Sequence, residues 1–109
     1  MEKKVLGKIE QVEFGCVHDR EYLFGLILCL KTSDSSGVVD MHVVNMSKSM
    51  TSVEWNTKQN EEIVKMVKFV NKLLKDAKIK TIDQLVNVPI EMIFSNNLLK
   101  SFRILTEVL

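Results

Sequence analysis

The 109 residues carry 15 Lys and Arg against 14 Asp and Glu, a formal charge of +1, so no overall field draws the chain onto nucleic acid or an anionic membrane. With 46% apolar and 27% charged residues the composition is that of a globular protein, and no run approaches the roughly 18 consecutive apolar residues of a membrane span. One domain over residues 1–109 is expected, large enough to bury a core without disulfides or metal.

The chain opens on charged residues, Met1-Glu2-Lys3-Lys4, and Gly7, Lys8 and Glu10 break the apolar segment that follows. That is not a secretory leader, and a cytoplasmic location is the expectation. Val5 to Phe14 reads as a first strand whose alternation breaks, because Val5 and Ile9 fall on one face by parity and Val12 and Phe14 on the other. A bulge near Glu10-Gln11 would bring both halves to one face. Gly15 to Arg20 reads as a turn. Glu21 to Thr32 is apolar on both faces, as a central strand is, with Cys29 buried as a small hydrophobe. Gly25 within it marks close packing of a helix or a bend of the sheet. Ser33 to Gly37 is a polar turn, and the β-branched Val38 to Met46 closes a hairpin, making the first three strands a meander.

Ser47 to Lys58 has no sustained period and reads as a loop, carrying Met50 and the only Trp, Trp55. From Glu61 to Lys78, Ile63, Met66, Val67, Val70, Leu73, Leu74 and Ala77 recur at helical spacing as one apolar stripe, and Lys65, Lys68, Lys72 and Lys75 repeat on another face. The helix is expected to start near residue 58 to 61, with Glu61 and Glu62 at the positive end of its dipole. Phe69 falls off the main stripe. Thr81 suits the N-cap of a short helical turn ended by Pro89. Val88 to Phe94 and Leu98 to Val108 then form a last hairpin around Asn96-Asn97, which accept positive φ. The fold class is α+β: a five-stranded, mainly antiparallel sheet in the order β-β-β-α-β-β, packed against one long helix.

Chemistry-bearing residues are sparse. Cys16, His18 and Asp19 stand close together, but Cys-x-His-Asp matches no zinc pattern. His42 lies within a strand, and the four glycines form no phosphate loop. No catalytic, cofactor or metal residues are assigned, and the chain is not expected to be an enzyme. The candidate contacts are for partners: Trp55, Met50 and Phe69 as an apolar anchor for a protein surface, and Lys65, Lys68, Lys72 and Lys75 as a row able to track phosphates. The ordinary role of such a row is a solvated helix face. Sheet edges left uncovered by one helix leave room for a homodimer.

The segments Gly7-Lys8-Ile9, Glu13-Phe14-Gly15, Gly25-Leu26, Leu74 to Lys78, Gln84-Leu85-Val86, Pro89-Ile90-Glu91, Asn97 to Ser101 and Arg103 to Leu109 together resemble small proteins of bacteriophages and prophages. The resemblance departs at Cys16 to Arg20 and Ser33 to Lys58, and it carries over no catalytic residue. It implies the cytoplasm of a bacterial host and a protein partner there. The expected function is a phage-encoded, non-enzymatic inhibitor that blocks a host protein sterically, for instance a CRISPR effector or other defence component. The alternative is an accessory factor of phage replication or recombination that touches nucleic acid through the lysine row.

Overall fold

The computed structural model describes residues 2–17, 19–47 and 53–109. Strand β1 runs Glu2–Val17 and pairs antiparallel with β2, Arg20–Thr32. Their register slips between Ile9 and Gln11, leaving Glu10 without a counterpart. The expected bulge is therefore present, and it places Ile9, Val12 and Phe14 opposite Leu30, Leu28 and Leu26, so all three face the same side. Gly15, Cys16 and Val17, expected in a turn, are strand residues paired with Gly25, Phe24 and Arg20. The polar run after them hid the fact that β2's first apolar residues need partners.

Strand β3, Gly37–Asn45, pairs with β2, and β4, Pro89–Ser95, pairs with the first half of β1. Strand β5, Leu98–Ile104, pairs with β4, giving one antiparallel sheet of order β3-β2-β1-β4-β5. Asn96 and Asn97 take φ of 54° and 67° in the tight turn between β4 and β5. The last strand stops at Ile104 rather than running to Val108, and a 3-10 turn, Thr106–Val108, follows. Arg103 donates to both carboxylate oxygens of Glu107, at 3.0 and 3.1 Å. An extended chain would hold those residues roughly 13 Å apart, so this fork requires the turn.

Helix α1 spans Val53–Ala77, 25 residues. It begins well before the expected start near residue 58 to 61, and the supposed loop of residues 47–58 is helical from Val53. Its first turns carry Thr57 and Asn60 in place of an apolar stripe, so tertiary contact rather than periodicity extends it. Gln59 Nε2 donates to the Asn45 carbonyl at 2.8 Å, tying those turns to the end of β3. Lys78, at φ 59°, caps the other end, where its N–H bonds Lys75 O and the Ile79 N–H bonds Leu74 O. A 3-10 turn, Ile82–Leu85, then leads to β4, with Gln84 Oε1 accepting the Lys80 and Thr81 N–H groups.

The core lies between α1 and one face of the sheet. Leu26, Leu28, Leu30, Ile9, Ile90 and Met92 from the strands meet Leu73 and Ala77 of α1 and Leu85 of the turn after it. Each fully buried aliphatic side chain contributes about 1.5–3 kcal/mol. Phe69, off the main stripe by spacing, is nonetheless half-buried against this core. Its ring stacks on His42 of β3 at 3.7 Å and meets Phe102 of β5 edge-on at 6.2 Å. Those are the two edge strands. In a flat sheet four spacings of about 4.8 Å would hold the edges roughly 19 Å apart, so the sheet curls strongly around Phe69. The curl also corrects the stripe: Met66, Leu73 and Ala77 are buried, but Val67 is 55% exposed.

Candidate functional site

Val67 is exposed because the helix face that meets the sheet is turned toward Phe69. With Val70, Leu74 and Asn71 of α1 it forms one wall of a groove, whose other wall is Phe14 of β1 and whose end is Ile82. The groove holds about 220 Å³. Phe14 is 48% exposed and held edge-on against Phe24 with ring centroids 5.2 Å apart, so its orientation is fixed before any partner arrives. An open channel with aromatic and aliphatic walls and one amide at its lip suits an apolar side chain from another protein.

The residues singled out from sequence fare differently. Met50 and the Trp55 side chain lie outside the described residues, although Trp55 belongs to the first turns of α1. Phe69 is half-buried, its ring set between His42 and Phe102. Lys65, Lys68, Lys72 and Lys75 are all exposed, and at 100° per residue they share a sector of about 80°. Glu61 falls inside that sector, and Lys72 Nζ lies 3.7 Å from the Asp76 carboxylate beside it, so the row is of mixed sign. His18 is outside the described residues. Cys16 is exposed, and Cys29, expected in the core, is half-buried on the outer face of the sheet, because Leu28 and Leu30 take the inward positions.

Elsewhere the polar groups engage one another. A hollow of about 690 Å³ opens at the far end of the sheet between Lys3, Val5, Val38, Phe94, Asn96 and Asp34. There Thr32 Oγ1 donates to the Asp34 carboxylate, which also accepts the Ser36 N–H at 3.1 Å. These two donors hold Asp34 below the usual carboxylate range. His42 Nε2 lies 2.8 Å from Asp40 Oδ2. Among the described residues no three His, Cys, Asp or Glu side chains converge as metal ligands, and no helix is long and apolar enough to cross a membrane.

The Arg103 cluster yields a pH prediction. Arg103 is held by Glu107 and by Glu91, whose Oε1 accepts at 3.1 Å, and its hydrogen bonds and charge lower the Glu107 pKa. A carboxylate whose folded-state pKa is depressed stabilises the fold above its unfolded value, near 4.3, and that stabilisation is lost as pH falls through the folded value. Glu107→Gln should therefore have a lower urea midpoint than the wild type at neutral pH. Repeating the titration at decreasing pH should leave the gap intact down to about pH 4.3 and close it as pH falls further, through the depressed folded value.

No family model, curated protein or solved structure matches this chain.

Proposed function

We propose that this protein acts without catalysis, by docking an apolar side chain or short helix of a host protein into the groove between α1 and β1 and blocking that protein sterically. The observation that carries the reading is the exposure of Val67 beside Phe14, which leaves aromatic and aliphatic walls open between α1 and β1. The resemblance to small phage and prophage proteins supplies the setting: the cytoplasm of an infected or lysogenic bacterium, with a defence component such as a CRISPR effector as the class of target. Steric blockade needs only a surface of fixed shape.

Capture from host lysate with the wild type and with Val67→Glu tests this. Because Val67 is exposed, the substitution should change stability by no more than about 0.5 kcal/mol. It should weaken retention of the partner by tenfold or more, since an unpaired carboxylate would be driven into an apolar contact. Equal recovery on both proteins, or no protein partner on either, overturns the reading. Recovery that vanishes with nuclease and falls steeply with salt would instead favour nucleic-acid binding by Lys65, Lys68, Lys72 and Lys75.

A further inference from the structure

The two edges of the sheet are built differently. Strand β5 carries Lys100 and Arg103, its register with β4 is broken by a bulge at Ile93/Phe94, and a 3-10 turn follows its end. Those devices discourage further strands from adding. Strand β3, Gly-Val-Val-Asp-Met-His-Val-Val-Asn, has no Lys, Arg or Pro, and its register with β2 runs from Lys31↔Gly37 to Leu23↔Asn45 without a shift. Val39 and Met41 on it are 59% and 42% exposed.

The direction of its backbone groups follows from the ladder. Thr32 N–H bonds Ser36 O at 2.8 Å and Met46 N–H bonds Tyr22 O at 2.6 Å, so even-numbered residues of β3 face β2. The N–H and C=O groups of Val39, Met41 and Val43 therefore point away from the sheet. The Asn45 carbonyl, which follows the same parity, is taken by Gln59, which limits any added strand to the stretch before it.

We propose that β3 pairs with β3 of a second copy, antiparallel about a two-fold axis through Met41, to give one continuous ten-stranded sheet. The register is self-complementary. Met41 meets Met41 of the second copy and Val39 meets Val43, each pair exchanging the outward N–H and C=O groups. On the helix side Val38 meets Val44, and Asp40 meets His42. That last pair is a close, non-hydrogen-bonded site of the ladder, where the His42 ring, 2.8 Å from Asp40 of its own chain, also comes beside the Asp40 carboxylate of the second copy. A shift of register by two residues loses this match and sets Asp40 against Asp40 of the second copy or against Val44. A hollow of about 210 Å³, lined by Met41, His42, Val43, Glu62, Lys65 and Met66, lies between this edge and α1. Glu62 and Lys65 thus offer the incoming Asp40 and His42 one group of each sign.

The dimer leaves the groove between α1 and β1 untouched, so the two readings fail separately. Sedimentation velocity over a concentration series tests the dimer. The wild type should sediment as two chains, and Met41→Pro as one chain with an unchanged far-UV circular dichroism spectrum. Proline is tolerated there because the lost N–H faces away from β2. Should Met41→Pro not fold, Val39→Lys places the usual edge-blocking charge at the next outward position, and it should weaken self-association by tenfold or more. A wild type that is monomeric throughout, or a folded variant that retains the wild-type association constant, overturns the proposal.

Discussion

Phe69→Ala should lower the unfolding free energy by about 2–4 kcal/mol in a urea titration, near the range for removing a core phenylalanine and reduced slightly because the ring is only half-buried. The loss has two sources. The cavity forfeits contact with the core, and the stacked His42 and edge-on Phe102 lose the ring between them. Since these rings belong to the two edge strands, the variant should also relax the curl, seen as faster amide exchange at both β3 and β5 rather than at one of them. Phe69→Leu, which retains bulk without the ring face, should recover part of the stability. A residue whose role was contact with a partner would instead change stability by less than about 0.5 kcal/mol on truncation.

Gly25→Ala should cost about 2–5 kcal/mol by the same measurement, from two penalties in one place. A Cβ there would stand 2.2 Å from the His42 carbonyl oxygen and 2.8 Å from Met66 Sδ. The sulfur can swing away, but the carbonyl belongs to the β2–β3 ladder and cannot. Overpacking of this kind costs about 1–3 kcal/mol. The backbone at Gly25 also has φ of 155°, outside the ordinary range of L-residues, which adds about 1–2 kcal/mol. Gly25 sits opposite Gly15 in β1, so at this rung the sheet has no side chain in two adjacent strands. Met66 of α1 comes close at Gly25 alone, because a Cβ at Gly15 would meet nothing within 4 Å, so it is Gly25 that bears on the depth at which the helix lies. Gly25→Ser should behave like alanine, and Met66→Ala combined with Gly25→Ala should recover little, because the backbone contact remains.

The strands were legible where one local rule sufficed. The apolar run of β2 marked a central strand, the parity break in β1 located a one-residue bulge, and Asn96-Asn97 marked a tight turn. Gly25 was legible as a point of close helix packing. The start of α1 was not, because Val53 to Lys58 carries no stripe, and the tie from the helix to β3, a segment earlier in the chain, is made by Gln59 just after it. The phase of the helix was not legible either. Spacing of three and four accommodates both Val67 and Phe69, and only the curl, which brings β3 and β5 together, selects Phe69 for the interior. The groove needs Phe14 and Val67 side by side, more than fifty positions apart, so no local pattern carries it. The lysines, by contrast, were placed correctly on an exposed face, because a charged helical sector needs no partner to define it.

Strand β1 serves two partners in succession: residues 7–17 lie against β2, and residues 2–8 against β4. The first of these contacts is local, but Gly7 and Ile90, paired across the second, are 83 positions apart. At the roughly 5–20 residues per second of ribosomal synthesis, the meander can close on the order of ten seconds before the last hairpin emerges. During that interval half of one strand waits with its ladder groups bare, an invitation to stray pairing that ends only when the chain's own tail arrives. Truncated products lacking residues 89–104 would keep that vacancy permanently and should aggregate, so clearance of unfinished chains matters more for this topology than for one closed by neighbours in sequence.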